Sequence, residues 1–332
     1  MISPAFIIIF ILAMIFGFLD GFHNSANVVA TVISSRAMRP RQALTLAALA
    51  EFVGPFLFGT AVAQTIGADL VDPAVVSVPI VAAAVLSAIL WRMTTWWLSI
   101  PSSSSHSLFG GLIGAVIVGA SFQALQFDGL RTIILSLLIS PILGLVGGYL
   151  LMLATLFLTR GASPGINLFF KRGQLLTSTG LAMTYGSNNA QKVMGMIGLG
   201  LVSTGMSSSL TNPTWIVASA AGALALGTFL GGTRIIRTIG AKFYKIRPVH
   251  GFTAQGTTAT IILVITLLGG PVSTTQVVSS TIVGVGVAER LSKVRWQVFR
   301  DIAAAWLITL PLTALLAAIL YFPMNLLMDL LA

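Results

Sequence analysis

The chain has 332 residues, 56% of them hydrophobic and only 8% charged, with a mean hydropathy of +0.98. A water-soluble domain carries about 25% charged residues, so a soluble enzyme or binding module is excluded and the surface must face lipid. No cysteine is present, which removes disulfides, thiolate metal sites and cysteine nucleophiles. The net charge of +10 invites a nucleic-acid reading, but its distribution argues against one.

Fifteen of the 18 lysines and arginines fall in four clusters. These are Arg36, Arg39 and Arg41; Arg160, Lys171 and Arg172; Arg234, Arg237, Lys242, Lys245 and Arg247; and Arg290, Lys293, Arg295 and Arg300. Loops rich in these residues stay cytoplasmic. The connections at 67–73, 121–129 and 203–213 hold no lysine or arginine; the first two carry Asp69, Asp72 and Asp128, and all three are placed outside.

Residues 4–34 form the first predicted span, running inward; without a basic leader or a small-residue cleavage site they do not read as a signal peptide. Residues 43–66 return outward. Residues 80–120 must begin and end outside yet are too long and apolar for a loop, which predicts a re-entrant hairpin with its tip at 101–106. Residues 131–158 run inward, and 161–174 link the halves at the cytoplasmic surface. In the second half 175–201 run out, 214–230 run in, 251–288 form a second hairpin with its tip at 271–276, and 306–321 run out. The prediction is an all-α integral protein of the cytoplasmic membrane with both termini extracytoplasmic. It has a first repeat at 1–160 and a second, inverted repeat at 175–332, each with a broken first helix and a re-entrant hairpin.

Four polar strings carry the chemistry. The hairpin tips PSSSSH and PVSTTQ align at an offset of 170, placing Ser103 on Ser273, Ser104 on Thr274, Ser105 on Thr275, His106 on Gln276 and, beyond the tips, Gly114 on Gly284. The first spans are interrupted by DGFHNSAN at 20–27 and YGSNNAQK at 185–192, which align at an offset of 165 with Gly21 on Gly186 and Asn24 on Asn189. Irregular backbone at membrane depth marks a substrate cavity. Serine and threonine after a proline cap an outgoing helix, and two such N-termini aimed at one point make an anion site. Hydroxyls of Ser103, Ser104, Ser105, Ser273, Thr274 and Thr275 suit a tetrahedral oxyanion. Amide and carbonyl oxygens from His23, Asn24, Asn27, Asn188, Asn189 and Gln191 suit a small hard cation, with Asp20 the sole carboxylate in the two strings.

Some residues read two ways. Asp20 needs a bound cation or Lys192 as partner. Glu51 is either functional or paired with Arg92, and Lys192 either closes the anion pocket or snorkels to the interface. His106 either caps the tip or meets substrate, and Trp91, Trp96 and Trp97 read as packing or interfacial anchors.

The strings GFHNSAN and YGSNNAQK, with PSSSSHS and GPVSTTQ, resemble the signatures of the inorganic phosphate transporter (PiT) family, whose motif runs Gly-x-Asn-Asp-x-Ala-Asn. The resemblance covers nearly the whole chain. It implies a secondary active transporter, not an enzyme, that imports inorganic phosphate with Na⁺ as coupling ion; H⁺ coupling or carriage of a metal–phosphate complex is the alternative within the family. It implies phosphate contacts from the six tip hydroxyls with Asn24 and Asn189, and sodium ligation among Asp20, His23, Asn24, Asn27, Asn188, Asn189, Gln191 and Gln276. The motif aspartate is Asn24 in one repeat and Asn189 in the other, and the preceding asparagine is His23 in the first. Loss of both carboxylates favours Na⁺ over H⁺, with Asp20 supplying charge, although His23 keeps proton coupling open.

Rival readings fare worse. A hairpin-type carboxylate transporter calls for an arginine or aspartate near the second tip, where none stands. An intramembrane serine protease lacks a Gly-x-Ser-x-Gly turn, and an inverted repeat disfavours a channel pore. The sequence leaves oligomeric state open, with a homodimer common among transporters of this kind.

Overall fold

The computed structural model describes residues 3–72, 75–98, 100, 102–231 and 246–330. Pro101, at the head of the first tip, lies outside them, as do Arg234, Arg237, Lys242 and Lys245. The described chain is built from helices: α1 (Pro4–Ser34), α2 (Pro40–Leu57), α3 (Ala61–Gln64), α4 (Val78–Trp97), α5 (Ser104–Gly119) and α6 (Phe127–Leu158) precede α7 (Ile166–Ser203), α8 (Thr214–Leu230), α9 (Pro248–Leu267), α10 (Thr274–Glu289) and α11 (Trp296–Asp329). Proline in the first turn of α1, α2, α4 and α9 starts those helices where its missing N–H has no partner to lose.

Two apolar cores lie on either side of a polar seam. One takes Phe6, Ile9, Ala13 and Phe16 from α1 and Val193, Met196 and Ile197 from α7; the other takes Val28, Val29 and Val32 from α1 and Leu181, Ala182 and Tyr185 from α7. The two helices therefore pass through both cores in opposite directions, and α6 and α11 also contribute to both. By contrast α4 and α5 give core residues only to the first core, and α9 and α10 only to the second. Of the helices, α1, α4, α6 and α11 are long and apolar enough to cross a membrane. A fifth crossing forms if α2 and the segment Ala61–Gly67, bent by 73°, count as one span. The bend falls at Gly59, whose φ of +78° suits a residue without a side chain.

Two expectations are corrected here. The first span of each half is not broken: α1 runs unbroken through Asp20–Asn27, and α7 through Tyr185–Lys192. Neither stretch contains proline, and the polar side chains find partners within or beside the helix, so no backbone group needs to be released. The glycines in these strings serve packing: a Cβ on Gly21 would collide with the Leu224 carbonyl of α8, and one on Gly186 with the Glu51 backbone of α2. The predicted linker at 161–174 is also largely helical, because α7 begins at Ile166.

The hairpin helices lie against long partners, α5 along α11 and α10 along α6. Glycine makes both approaches close, since a Cβ on Gly114 would strike Ala314 and one on Gly284 would strike the Leu145 carbonyl. The open end of the second hairpin is held by Glu289, which pairs with Arg247 and with His250 at 3.0 Å.

Candidate functional site

At the seam the N-termini of α5 and α10 meet. Ser103 caps α5 by accepting from the His106 N–H at 3.3 Å, and Ser273 caps α10 by accepting from the Gln276 N–H at 3.4 Å. The two cap hydroxyls are hydrogen-bonded to each other at 2.8 Å. Ser105 Oγ donates to the Val272 carbonyl at 2.8 Å, and His106 Nδ1 lies 2.8 Å from Ser103 Oγ. Both helices have bodies of 16 residues, so two sets of free N–H groups and two positive dipole ends converge on one buried place.

The middles of α1 and α7 flank this meeting point with matched contacts. Asn24 Oδ1 accepts from Asn27 Nδ2 at 3.3 Å and from Thr275 Oγ1 at 3.4 Å. Asn189 Oδ1 accepts from Lys192 Nζ at 2.5 Å and from Thr274 Oγ1 at 3.4 Å. Each half thus supplies an amide oxygen held between a tip hydroxyl and a group three residues along its own helix. The Tyr185 hydroxyl, which makes no hydrogen bond of normal geometry, faces Thr274 and Asn27.

Four charged side chains are buried here, and their pairing differs from the sequence reading. Asp20 Oδ1 pairs with Arg92 Nη2 at 3.3 Å and accepts from Asn24 Nδ2 at 2.5 Å, so its side-chain ion partner is Arg92 and not Lys192. Glu51 therefore does not take Arg92; its Oε2 accepts from Thr228 Oγ1 of α8 at 2.5 Å. Lys192 does not snorkel, being 0% exposed with its ammonium on Asn189. Nothing in a single sequence says which helices neighbour one another, and that hides the Asp20–Arg92 and Glu51–Thr228 pairs.

The remaining expected site residues divide. Ser104 is buried in the first turn of α5. Asn188 donates to Thr266 Oγ1 at 2.8 Å and leaves its Oδ1 without a hydrogen bond, as does Gln276 with its Oε1 and Asp20 with its Oδ2. Gln191 is committed elsewhere: its Oε1 accepts from the N–H groups of Val62 at 2.7 Å and Ala63 at 3.3 Å, capping α3. His23 is half-buried against Phe22 and Trp96, its ring 5.9 Å from the tryptophan.

A buried polar chain leaves the seam along α1, α7 and α9. Gln255 donates to Thr31 Oγ1 at 2.8 Å and accepts from Thr177 Oγ1 at 2.8 Å, and Gln174 accepts from Ser35 Oγ at 2.8 Å and donates to the Pro248 carbonyl at 3.1 Å. Replacing Gln255 with leucine strips Thr31 of its side-chain donor in a buried place, and thermal unfolding in detergent is expected to register a loss of about 1–3 kcal/mol.

The phosphate transporter family matches residues 20–317. A probable low-affinity inorganic phosphate transporter of Bacillus subtilis (strain 168) is 42% identical over 323 residues, covering 96% of this chain and 97% of that protein. The corresponding protein of Rhizobium meliloti (strain 1021) is 38% identical over 325 residues, covering 97% of each. A solved structure described as the sodium-dependent phosphate transporter superposes with a TM-score of 0.87 at 25% identity, covering 98% of this chain and 100% of that one. The helices that cross both cores, the paired tips at their seam and these matches lead to one conclusion: the chain is a multi-pass membrane transporter and belongs to the phosphate transporter family.

Proposed function

We propose that this chain imports inorganic phosphate across the cytoplasmic membrane, coupled to Na⁺, by alternating access between two inverted repeats at 1–160 and 175–332. The observation that carries the phosphate reading is the Ser103–Ser273 contact at 2.8 Å, with the buried Lys192 ammonium next to the tip residue Thr274 through their shared partner Asn189. A tetrahedral oxyanion is met there by two helix N-termini, the hydroxyls of Ser103, Ser104, Ser105, Ser273, Thr274 and Thr275, the amides of Asn24 and Asn189, and one positive charge.

Sodium coupling draws support from the sodium-dependent structural neighbour and from the oxygen atoms at hand. Asp20 Oδ2, Asn188 Oδ1 and Gln276 Oε1 are buried acceptors without hydrogen-bond partners, and hard cations take oxygen ligands. These three oxygens are open to a cation, whereas Gln191 Oε1 is already taken by the Val62 and Ala63 N–H groups.

Orientation follows from charge. The ends of α1, α6 and α10 and the beginnings of α2, α7, α9 and α11 lie beyond the second core and carry the described basic clusters, so that end is cytoplasmic and both termini are outside. On this reading α4–α5 enters from outside and α9–α10 from inside, each reaching only the seam. The polar chain through Thr31, Gln255 and Thr177 then lies on the cytoplasmic route from the site.

Uptake of radiolabelled phosphate into proteoliposomes tests this, with a Na⁺ gradient, a pH gradient and Mg²⁺ as separate arms and succinate and glutamate as competitors. Phosphate accumulation driven by Na⁺ is expected; carriage of succinate or glutamate instead of phosphate overturns the reading. Ser104→Ala or Thr274→Ala removes one hydroxyl donor and is expected to weaken phosphate binding roughly fivefold to tenfold, read by equilibrium binding. Asn24→Ala is expected to change the Na⁺ concentration dependence before it changes phosphate affinity.

A further inference from the structure

Among the positions at which the two halves differ inside the site, one exchanges an amide for an ammonium. At the offset of 165 that aligns Asn24 with Asn189, Lys192 stands where the first half has Asn27. The contacts repeat as well: Asn27 Nδ2 donates to Asn24 Oδ1 at 3.3 Å, and Lys192 Nζ donates to Asn189 Oδ1 at 2.5 Å. A neutral amide in one half is thus an ammonium in the other.

That ammonium is unusual in its surroundings. It is 0% exposed, and among the described residues no carboxylate lies within ion-pair distance of it. Arg92 has Asp20, and Glu51 is held by Thr228. The residue under the ammonium is asparagine, which accepts a hydrogen bond but cancels no charge. A buried cation without a counter-ion is costly to the protein, and an anion bound beside it removes that cost. Asp20, the neighbouring carboxylate, is already paired with Arg92, so the three groups together carry one positive charge in excess, and through Asn189 and Thr274 it adjoins the tips where phosphate is proposed to bind.

We propose that Lys192 is a tethered cation: its ammonium supplies a positive charge that a coupling ion would otherwise bring to the phosphate, so one Na⁺ fewer is needed per phosphate bound. This rests on the proposed phosphate site. The asymmetry has a mechanistic consequence, because charge fixed to α7 stays in the membrane when phosphate leaves, whereas a coupling ion departs with it. The first half, with Asn27 and the free oxygen of Asp20, remains the side at which a mobile ion acts.

The test uses purified full-length protein and measures equilibrium phosphate binding in choline and in sodium medium, together with the number of ²²Na⁺ ions bound at saturating phosphate. Lys192→Asn, which copies the first half, is expected to lose phosphate affinity in choline by roughly tenfold to a hundredfold. It should recover affinity as Na⁺ is raised and bind one more sodium ion than wild type. Lys192→Arg, which keeps the charge, should retain the wild-type sodium count. An unchanged choline affinity and sodium count in Lys192→Asn overturns the proposal, and so does an extra sodium ion in Lys192→Arg should the asparagine variant not fold. Sodium-driven uptake by the wild type is a separate measurement: its absence defeats the coupling reading, while the choline affinities still decide the role of Lys192.

Discussion

Replacing Asp20 with alanine is expected to cost about 3–5 kcal/mol of stability, the effect of stranding a buried charge, whereas replacing Asp20 and Arg92 together with alanine and methionine recovers much of that loss. Both side chains are almost wholly buried, at 0% and 1% exposure, so water cannot take over from the missing partner. Arg92 already has two guanidinium nitrogens without hydrogen bonds and, among the described residues, one further hydrogen bond, to the Leu19 carbonyl at 3.4 Å. Without Asp20 its charge sits in an apolar core beside the Lys192 charge, and the two repel. Thermal unfolding in detergent for the two single variants and the double variant gives the coupling energy directly. A double variant as unstable as the sum of the singles means that the pair is not a unit. The pair also ties α1 to α4, so phosphate binding is expected to fall with stability in Asp20→Ala.

The second large effect is expected at the mirrored glycines. A Cβ on Gly284 would fall on the Leu145 carbonyl of α6, and one on Gly114 on the backbone of Ala314 in α11. Backbone cannot rotate aside as a side chain can, so alanine at either position forces the hairpin helix away from its long partner at about 1–3 kcal/mol, and valine at more. Displacing α5 or α10 by a fraction of an ångström also parts Ser103 from Ser273, so uptake is expected to fall together with stability. Gly180 is the contrasting control, because nothing stands within 4 Å of a Cβ built there. Gly180→Ala in the middle of α7 should raise stability by about 0.5–1 kcal/mol, the ordinary gain of alanine over glycine in a helix. If Gly114→Ala, Gly284→Ala and Gly180→Ala all behave alike, the close approach is not what fixes the hairpins.

The tips were legible because their hydroxyls stand out from apolar flanks and occur twice at one offset. Pairing Ser103 with Ser273 in an internal alignment anticipates two residues that touch at 2.8 Å. The strings in α1 and α7 were legible as a site but not as structure. Polarity at membrane depth predicts broken backbone, yet asparagine, glutamine and lysine can be satisfied sideways by a helix that keeps its own hydrogen bonds, as Asn24 is by Asp20 and Gln191 by the α3 N-terminus. The break that does occur, at Gly59 in the second span, carries little polar signal, so the sequence there predicts continuous helix.

By itself the sequence determined the membrane class, the repeated polar strings and the sign of the ligand, because hydropathy, charge and hydroxyl content are properties of residues taken in order. Only the tertiary structure decided which charges meet. Asp20 and Arg92 are 72 positions apart and Glu51 and Thr228 are 177 apart, and a buried charge takes its partner from whichever helix packs against it. Packing likewise leaves Lys192, among the described residues, without a carboxylate within ion-pair distance, whereas its sequence alone allows it to snorkel to the interface.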